Sequence, residues 1–128
     1  MHYVLDTHTL IWYFIGSKRL QRSAKQAIEE CGRRGGLLLV PTIVLAEALD
    51  IAEKQRVTFD FAEMYRLIRA ESTFEIIGFS PEIFSEVVKI KRVKEMHDRI
   101  IVATARFYRA GIITKDKIIR ESGEVETL

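Results

Sequence analysis

Leu37-Leu38-Leu39-Val40-Pro41-Thr42 is the stretch on which the fold of this chain turns. Four consecutive apolar residues, with no polar alternation, read as a strand covered on both faces, the habit of a parallel sheet. Pro41 ends that run and Thr42 opens a helix to about Lys54. Outward from it the same alternation repeats. Upstream, Val4-Leu5-Asp6 ends a first strand, and Thr7 stands where it could cap a helix over Leu10 to Ile15. Gly16 to Arg19 form a turn, and a second helix from about Ser23 to Arg33 stops at Gly35-Gly36. Downstream, Asp60 and Glu63 form a capping box ahead of the stripe Phe61, Met64, Tyr65, Ile68. Phe74 to Ile77 read as a third strand. Ser80-Pro81 is a helix start that carries Phe84, Val87 and Val88 inward. Asp98 opens a helix to about Arg109, Gly111 closes it, and Ile112-Ile113-Thr114 make a fourth strand. A short helix follows Asp116, and Val125 begins a fifth strand. Strands alternating with helices predict a three-layer α/β/α sandwich around a parallel sheet of about five strands, one domain spanning residues 1–128.

Composition is that of an ordinary globular domain, with 48% hydrophobic and 30% charged residues. Cys31 is the single cysteine, so no internal disulfide forms, and it falls on the apolar stripe Ala24, Ala27, Ile28, Cys31 as a buried small hydrophobe. The N-terminus lacks a basic targeting region, and no apolar run approaches membrane-spanning length. The expectation is a cytoplasmic protein with no membrane association. Asn is absent and Lys, Glu and Arg are abundant, a leaning shared with thermophilic proteins.

Four carboxylates lie in or beside apolar segments: Asp6 after the first strand, Glu47 within Val44-Leu45-Ala46-Glu47-Ala48, Asp98 at a helix start, and Asp116 after the fourth strand. Open parallel sheets form sites outside the C-terminal ends of their strands, where strand order reverses. If the first and fourth strands are neighbours, Asp6 and Asp116 converge there. Lone ionised carboxylates are costly to bury, and a divalent cation would stabilise four together. Oxygen-only ligands select hard ions, so one or two Mg²⁺ or Mn²⁺ and metal-assisted phosphodiester hydrolysis follow as the leading chemistry. The chain holds 20 Lys and Arg against 18 Asp and Glu, net +2; without the four candidate acids, 14 remain and the balance is +6. That surface suits an anionic substrate. Basic clusters at Lys89-Lys91-Arg92-Lys94 and Lys115-Lys117-Arg120 flank Asp98 and Asp116 and are candidates for phosphate contact; those at Lys18-Arg19-Arg22-Lys25 and Arg33-Arg34 read as solvated faces.

The ordered set Leu5-Asp6-Thr7-His8-Thr9-Leu10-Ile11-Trp12, Ala46-Glu47-Ala48-Leu49, His97-Asp98-Arg99-Ile100-Ile101-Val102-Ala103-Thr104-Ala105 and Gly111-Ile112-Ile113-Thr114-Lys115-Asp116 resembles the four motifs of PIN-domain nucleases, in particular the VapC-like toxins of toxin–antitoxin pairs. The match runs from residue 2 to about residue 118. The resemblance implies a five-stranded parallel sheet, Mg²⁺ or Mn²⁺ dependence, cleavage of RNA, an antitoxin partner that blocks the site, and a homodimer. The charged lead-in Lys94-Glu95-Met96-His97 departs from the Pro- and Phe-rich version seen in similar relatives, which bears on substrate preference.

Each acid also has a plainer reading. Asp6 and Asp98 are favoured helix caps, and Asp116 sits in a basic turn. Glu47, in a nearly all-apolar stretch, needs a partner. Thr7 and Thr114 are candidates to orient a carboxylate or a metal-bound water, against capping and strand packing. Arg99 is a candidate for phosphate contact, against pairing with an acid. His8 and His97 read as surface or structural, with His97 a lesser candidate for substrate contact. Trp12, Phe14, Phe107 and Tyr108 read as core or dimer-face residues, with base stacking an alternative that nothing in the sequence supports. Competing functions are an RNA-processing nuclease on the same scaffold without an antitoxin, a catalytically silent binding module, and receiver-type phosphoryl chemistry at Asp6. The last lacks a convincing lysine at the end of a late strand.

Overall fold

The run that suggested a two-sided strand is one: Leu38–Pro41 (β2) is buried at every residue. In the computed structural model, which describes residues 1–128, it pairs in parallel with Tyr3–Leu5 (β1) on one side and Phe74–Ile77 (β3) on the other. Gly111–Ile113 (β4) pairs in parallel with the far edge of β1, giving the order β3-β2-β1-β4. The chain therefore moves outward from β1 through β2 to β3, then crosses back to the opposite side of β1. Strand order reverses between β1 and β4, and a crevice opens beyond their C-terminal ends.

Helices Thr7–Ile15 (α1) and Arg22–Cys31 (α2) connect β1 to β2, the latter followed by a 3-10 turn at Gly32–Arg34. Gly35, at φ 75, takes the left-handed conformation that ends this segment. Gly36 passes so close to the chain start that a Cβ there would lie 2.4 Å from the Met1 carbonyl oxygen. Thr42–Glu53 (α3) and Phe61–Ala70 (α4) connect β2 to β3. Pro81–Lys89 (α5) and Met96–Tyr108 (α6) pack on each other on the way to β4, and Lys117–Ser122 (α7) follows it. Helices thus cover both faces of the sheet. Cys31 is buried as expected, and burial pushes its thiol up. No helix is long and apolar enough to cross a membrane.

Three expectations are corrected. The sheet has four strands; in place of a fifth, the chain end makes one parallel bridge, Ile112 with Thr127. The Ile112 amide donates to the Glu126 carbonyl at 2.9 Å and the Leu128 amide donates to the Ile112 carbonyl at 2.9 Å. Val125 packs on the core there, but its neighbours Glu124 and Glu126 are polar, so the pairing does not propagate. α6 opens at Met96 with Glu95 as its cap, so Asp98 lies inside the first turn rather than before it. On α5 the inward stripe is Ile83, Val87 and then Ile90; Phe84 and Val88 are 55% and 54% exposed. Two apolar stripes one residue apart compete on that helix, and the β-branched one fills the core.

That register makes a direct test. Ile83→Ala should cost about 2–5 kcal/mol, as for a large-to-small change in a packed core. Phe84→Ala should stay within about 0.5 kcal/mol, as at an uninvolved surface position. Urea titrations of the two variants would distinguish this packing from the reverse, in which Phe84→Ala is the costly change.

Candidate functional site

The register of β1 against β4 aligns Leu5 with Ile113, so the next residues, Asp6 and Thr114, leave the sheet side by side. Asp6 caps α1: its Oδ1 accepts from the Thr9 amide at 2.9 Å. Its Oδ2 accepts a short hydrogen bond from the Thr114 hydroxyl. The Thr114 hydroxyl oxygen in turn accepts from the Asp116 amide at 2.9 Å. Asp116 caps α7, with Oδ1 accepting from the Ile119 amide at 2.9 Å. One threonine therefore ties two acids across the reversal point.

Glu47 arrives from the middle of α3, where the neighbouring Val44 and Ala48 are buried in the core. Its Oε1 accepts from the Thr7 hydroxyl at 2.9 Å, and its Oε2 lies 3.6 Å from His97 Nδ1. Asp98 enters from the first turn of α6. Its carboxylate is half-buried, takes no hydrogen bond, and is faced by Asp116, Glu95, Glu47 and Asp6. Burial, followed by those four negative charges, lifts it from an ordinary 3.8 to about 6.

Asp6, Glu47, Asp98 and Asp116 line a single cleft of about 360 Å³. The structure thus brings together all four acids singled out from the sequence. Thr7 donates to Glu47 and Thr114 to Asp6, and Thr7 also lines the cleft. Arg99 is not in the cleft: its Nη2 donates to the Val87 carbonyl at 2.7 Å, and its Nε is buried without a partner. Two helical residues in succession point about a hundred degrees apart, so the arginine after Asp98 is directed at α5.

Other walls of the cleft went unassigned in the sequence. Trp12 is half-buried there rather than packed in a core, with His8 stacked obliquely on it at 5.6 Å and Lys115 Nζ 5.6 Å from its ring centroid. Arg19 lines the cleft too, although its cluster read as a solvated face. The i, i+4 spacing of His8 and Trp12 on the helix that Asp6 caps was the available signal. The cluster at Lys89-Lys91-Arg92-Lys94 is turned to structural partners instead: Lys89 pairs with Glu86 at 2.9 Å, and Arg92 donates to the Ser122 carbonyl at 3.3 Å.

Oxygen is the only donor type the four acids offer, and no side chain forms a hydrogen bond or ion pair with Asp98. No three His, Cys, Asp or Glu side chains stand close enough together to hold a metal ion among themselves. Mg²⁺ is commonly held by one or two carboxylates with waters and substrate phosphate oxygens completing its shell. The donor set fits such an ion, with Asp98 the carboxylate most in need of it.

A model of the PIN domain matches residues 3–124 of this chain. No curated protein matches it. Among solved structures, a toxin–antitoxin complex from Klebsiella pneumoniae is 27% identical with a TM-score of 0.67, covering 98% of this chain and 95% of that one. VapBC2 from Rickettsia felis, bound to a DNA fragment from its promoter, is 18% identical with a TM-score of 0.76, covering 100% and 98%. VapC20 of Mycobacterium tuberculosis, a sarcin-ricin loop cleaving toxin, is 13% identical with a TM-score of 0.62, covering 98% and 99%. With residues 3–124 of its 128 matched by that model, the chain belongs to the PIN-domain family.

Proposed function

We propose that this protein is an Mg²⁺- or Mn²⁺-dependent endoribonuclease, the toxin of a toxin–antitoxin pair, with Asp6, Glu47, Asp98 and Asp116 as its catalytic metal ligands. The observation that carries this is the meeting of four carboxylates from four different elements in one cleft of a PIN domain. The toxin reading draws on the Klebsiella complex, and the RNA reading on VapC20, a sarcin-ricin loop cleaving toxin. An antitoxin is the expected partner, a homodimer the expected assembly and the cytoplasm the expected compartment.

A bound divalent cation lowers the pKa of a coordinated water and offsets charge developing on the phosphate. The chain supplies the rest. Thr7 and Thr114 fix the rotamers of Glu47 and Asp6, so the acids present ordered oxygens despite their repulsion. Lys115 and Arg19, on the rim, draw a polyanion toward a cleft whose floor is negative.

Purified protein should cut a panel of single-stranded and structured RNAs with Mg²⁺ or Mn²⁺ and not with EDTA. Asp98→Asn should fold normally and cut about a hundredfold more slowly or worse, the scale of losing one charge-stabilising group in a site. Cutting at the wild-type rate would overturn the assignment of Asp98.

Thr114→Val removes the hydroxyl that joins Asp6 to Asp116. Cation affinity or turnover should fall about 10–100-fold, as when groups that orient ligands are lost, with an unchanged circular dichroism spectrum. Isothermal titration with Mn²⁺ reads the affinity; wild-type binding would show the bridge to be dispensable.

Asp98 also sets a pH dependence. Its folded value is raised, so the neutral form is favoured by folding. Its contribution to stability is full below about 3.8 and is lost as pH rises through about 6. In EDTA, wild-type melting temperature should fall relative to Asp98→Asn between pH 4 and pH 7, and Mn²⁺ should restore it above pH 6. Parallel melting curves for the two proteins would remove Asp98 from the account.

A further inference from the structure

The acid cleft does not end at the acids. A second cavity of about 560 Å³ opens from it, sharing Trp12, His8, Arg19, Glu47 and Ile51 with the first. Its additional apolar lining comes from Ile43, Ala46 and Val57, with Arg56 among its charged groups. The two compartments differ in chemistry. One is floored by carboxylates beside Lys115; the other sets an apolar wall of Ile43, Ala46, Ile51 and Val57 beside Trp12, with Arg19 and Arg56 and the acids Glu47 and Asp50 around it. A polynucleotide alternates in the same way, with an anionic phosphate next to a flat, weakly polar base. Trp12 stands where the two compartments join.

We infer that Trp12 is a stacking shelf for a nucleobase next to the scissile phosphate, a residue that positions the substrate by holding one unpaired base beside the acids. This rests on the nuclease reading above for the identity of the reacting phosphate. Three features support it. The Trp12 indole is half-buried, anchored in α1 one and a half turns after Asp6, so its position relative to the acids is set by a rigid element. Lys115, 5.6 Å from the ring centroid, steadies the indole and lies beside Asp116, so one cation reaches both base platform and phosphate site. His8 meets the ring at 48° rather than parallel, and so does not seal it as a closed aromatic stack. A base within a duplex is already stacked on its neighbours and faces inward, so only a looped, bulged or single-stranded base can enter this hollow. Aromatic shelves of this kind tolerate any base, since every base has a π-face. Preference among bases would then come from the polar groups around the hollow, such as Arg56.

Trp12 is the only tryptophan in the chain, so its fluorescence reports the shelf directly. Asp98→Asn protein, used to suppress cutting, should show saturable quenching with a single-stranded RNA hexamer and much less with a duplex of the same length. In kinetics with wild-type aspartates, Trp12→Leu should lower kcat/KM on single-stranded RNA about tenfold to a hundredfold, mostly through KM. Trp12→Phe should retain most of it. An abasic scan supplies the control for a merely structural effect. Removing one base beside the cut site should impair wild type by a similar factor and leave Trp12→Leu unaffected, because the lost partner is the same. Equal abasic penalties in both proteins would overturn the shelf. Cutting without quenching would overturn the shelf and keep the nuclease. Quenching without cutting would keep the shelf and overturn the nuclease. If Trp12→Leu leaves RNA kinetics unchanged but abolishes binding of an antitoxin peptide, the hollow is a protein-docking site and the inference fails.

Discussion

Four carboxylates pressed into one cleft repel one another, and the fold holds them there with hydrogen bonds that also build its helices. Asp6 starts α1 and Asp116 starts α7, each spending one carboxylate oxygen on a backbone amide. Helix N-termini favour negative charge, so those acids gain where they would otherwise cost. The Thr114 hydroxyl then joins them, accepting from the amide of one and donating to the carboxylate of the other. Glu47 is tied to α1 through Thr7. Capping and site-building are therefore the same set of bonds, and the plainer reading of Asp6 and Asp116 as caps is correct without excluding the other.

Asp98 differs from its three partners. It takes no hydrogen bond, and burial followed by the neighbouring negative charges pushes it to about 6. Satisfied acids confer the shape of the cleft, while the unsatisfied one supplies its demand for positive charge. A cation held by one or two carboxylates would bind most strongly at the member of the set that nothing else has stabilised.

Much of this was legible in the chain because it depends on local chemistry. The apolar run at Leu38–Val40 announced a two-sided strand, and Gly35-Gly36 and Ser80-Pro81 marked helix ends that the structure keeps. The acids stood out through their position after strands. What stayed hidden is long-range. The adjacency of β1 and β4 is a pairing over a hundred residues apart, conditional in sequence and decisive in structure. The Phe84 stripe lost to Ile83 because two apolar faces of one helix differ by a single residue, and only the neighbouring α6 selects between them. Arg99 turned to a carbonyl of α5 for the same reason: sequence adjacency to Asp98 says nothing of which neighbour a long side chain meets.

Charge offers the clearest case of local reading misled by proximity. The basic residues before Asp98 look placed to serve it, yet Lys89 pairs with Glu86, Lys91 donates to the Val88 carbonyl and Arg92 to the Ser122 carbonyl. The cations that reach the cleft are Lys115 and Arg19, one from the turn after β4 and one from the loop after α1. Both lie on segments that leave the strand ends flanking the reversal point, where the crevice is. Topology thus determines which basic residues face the acids. A basic run with no route to the β1–β4 crevice stays on the surface, however near in sequence its acid lies.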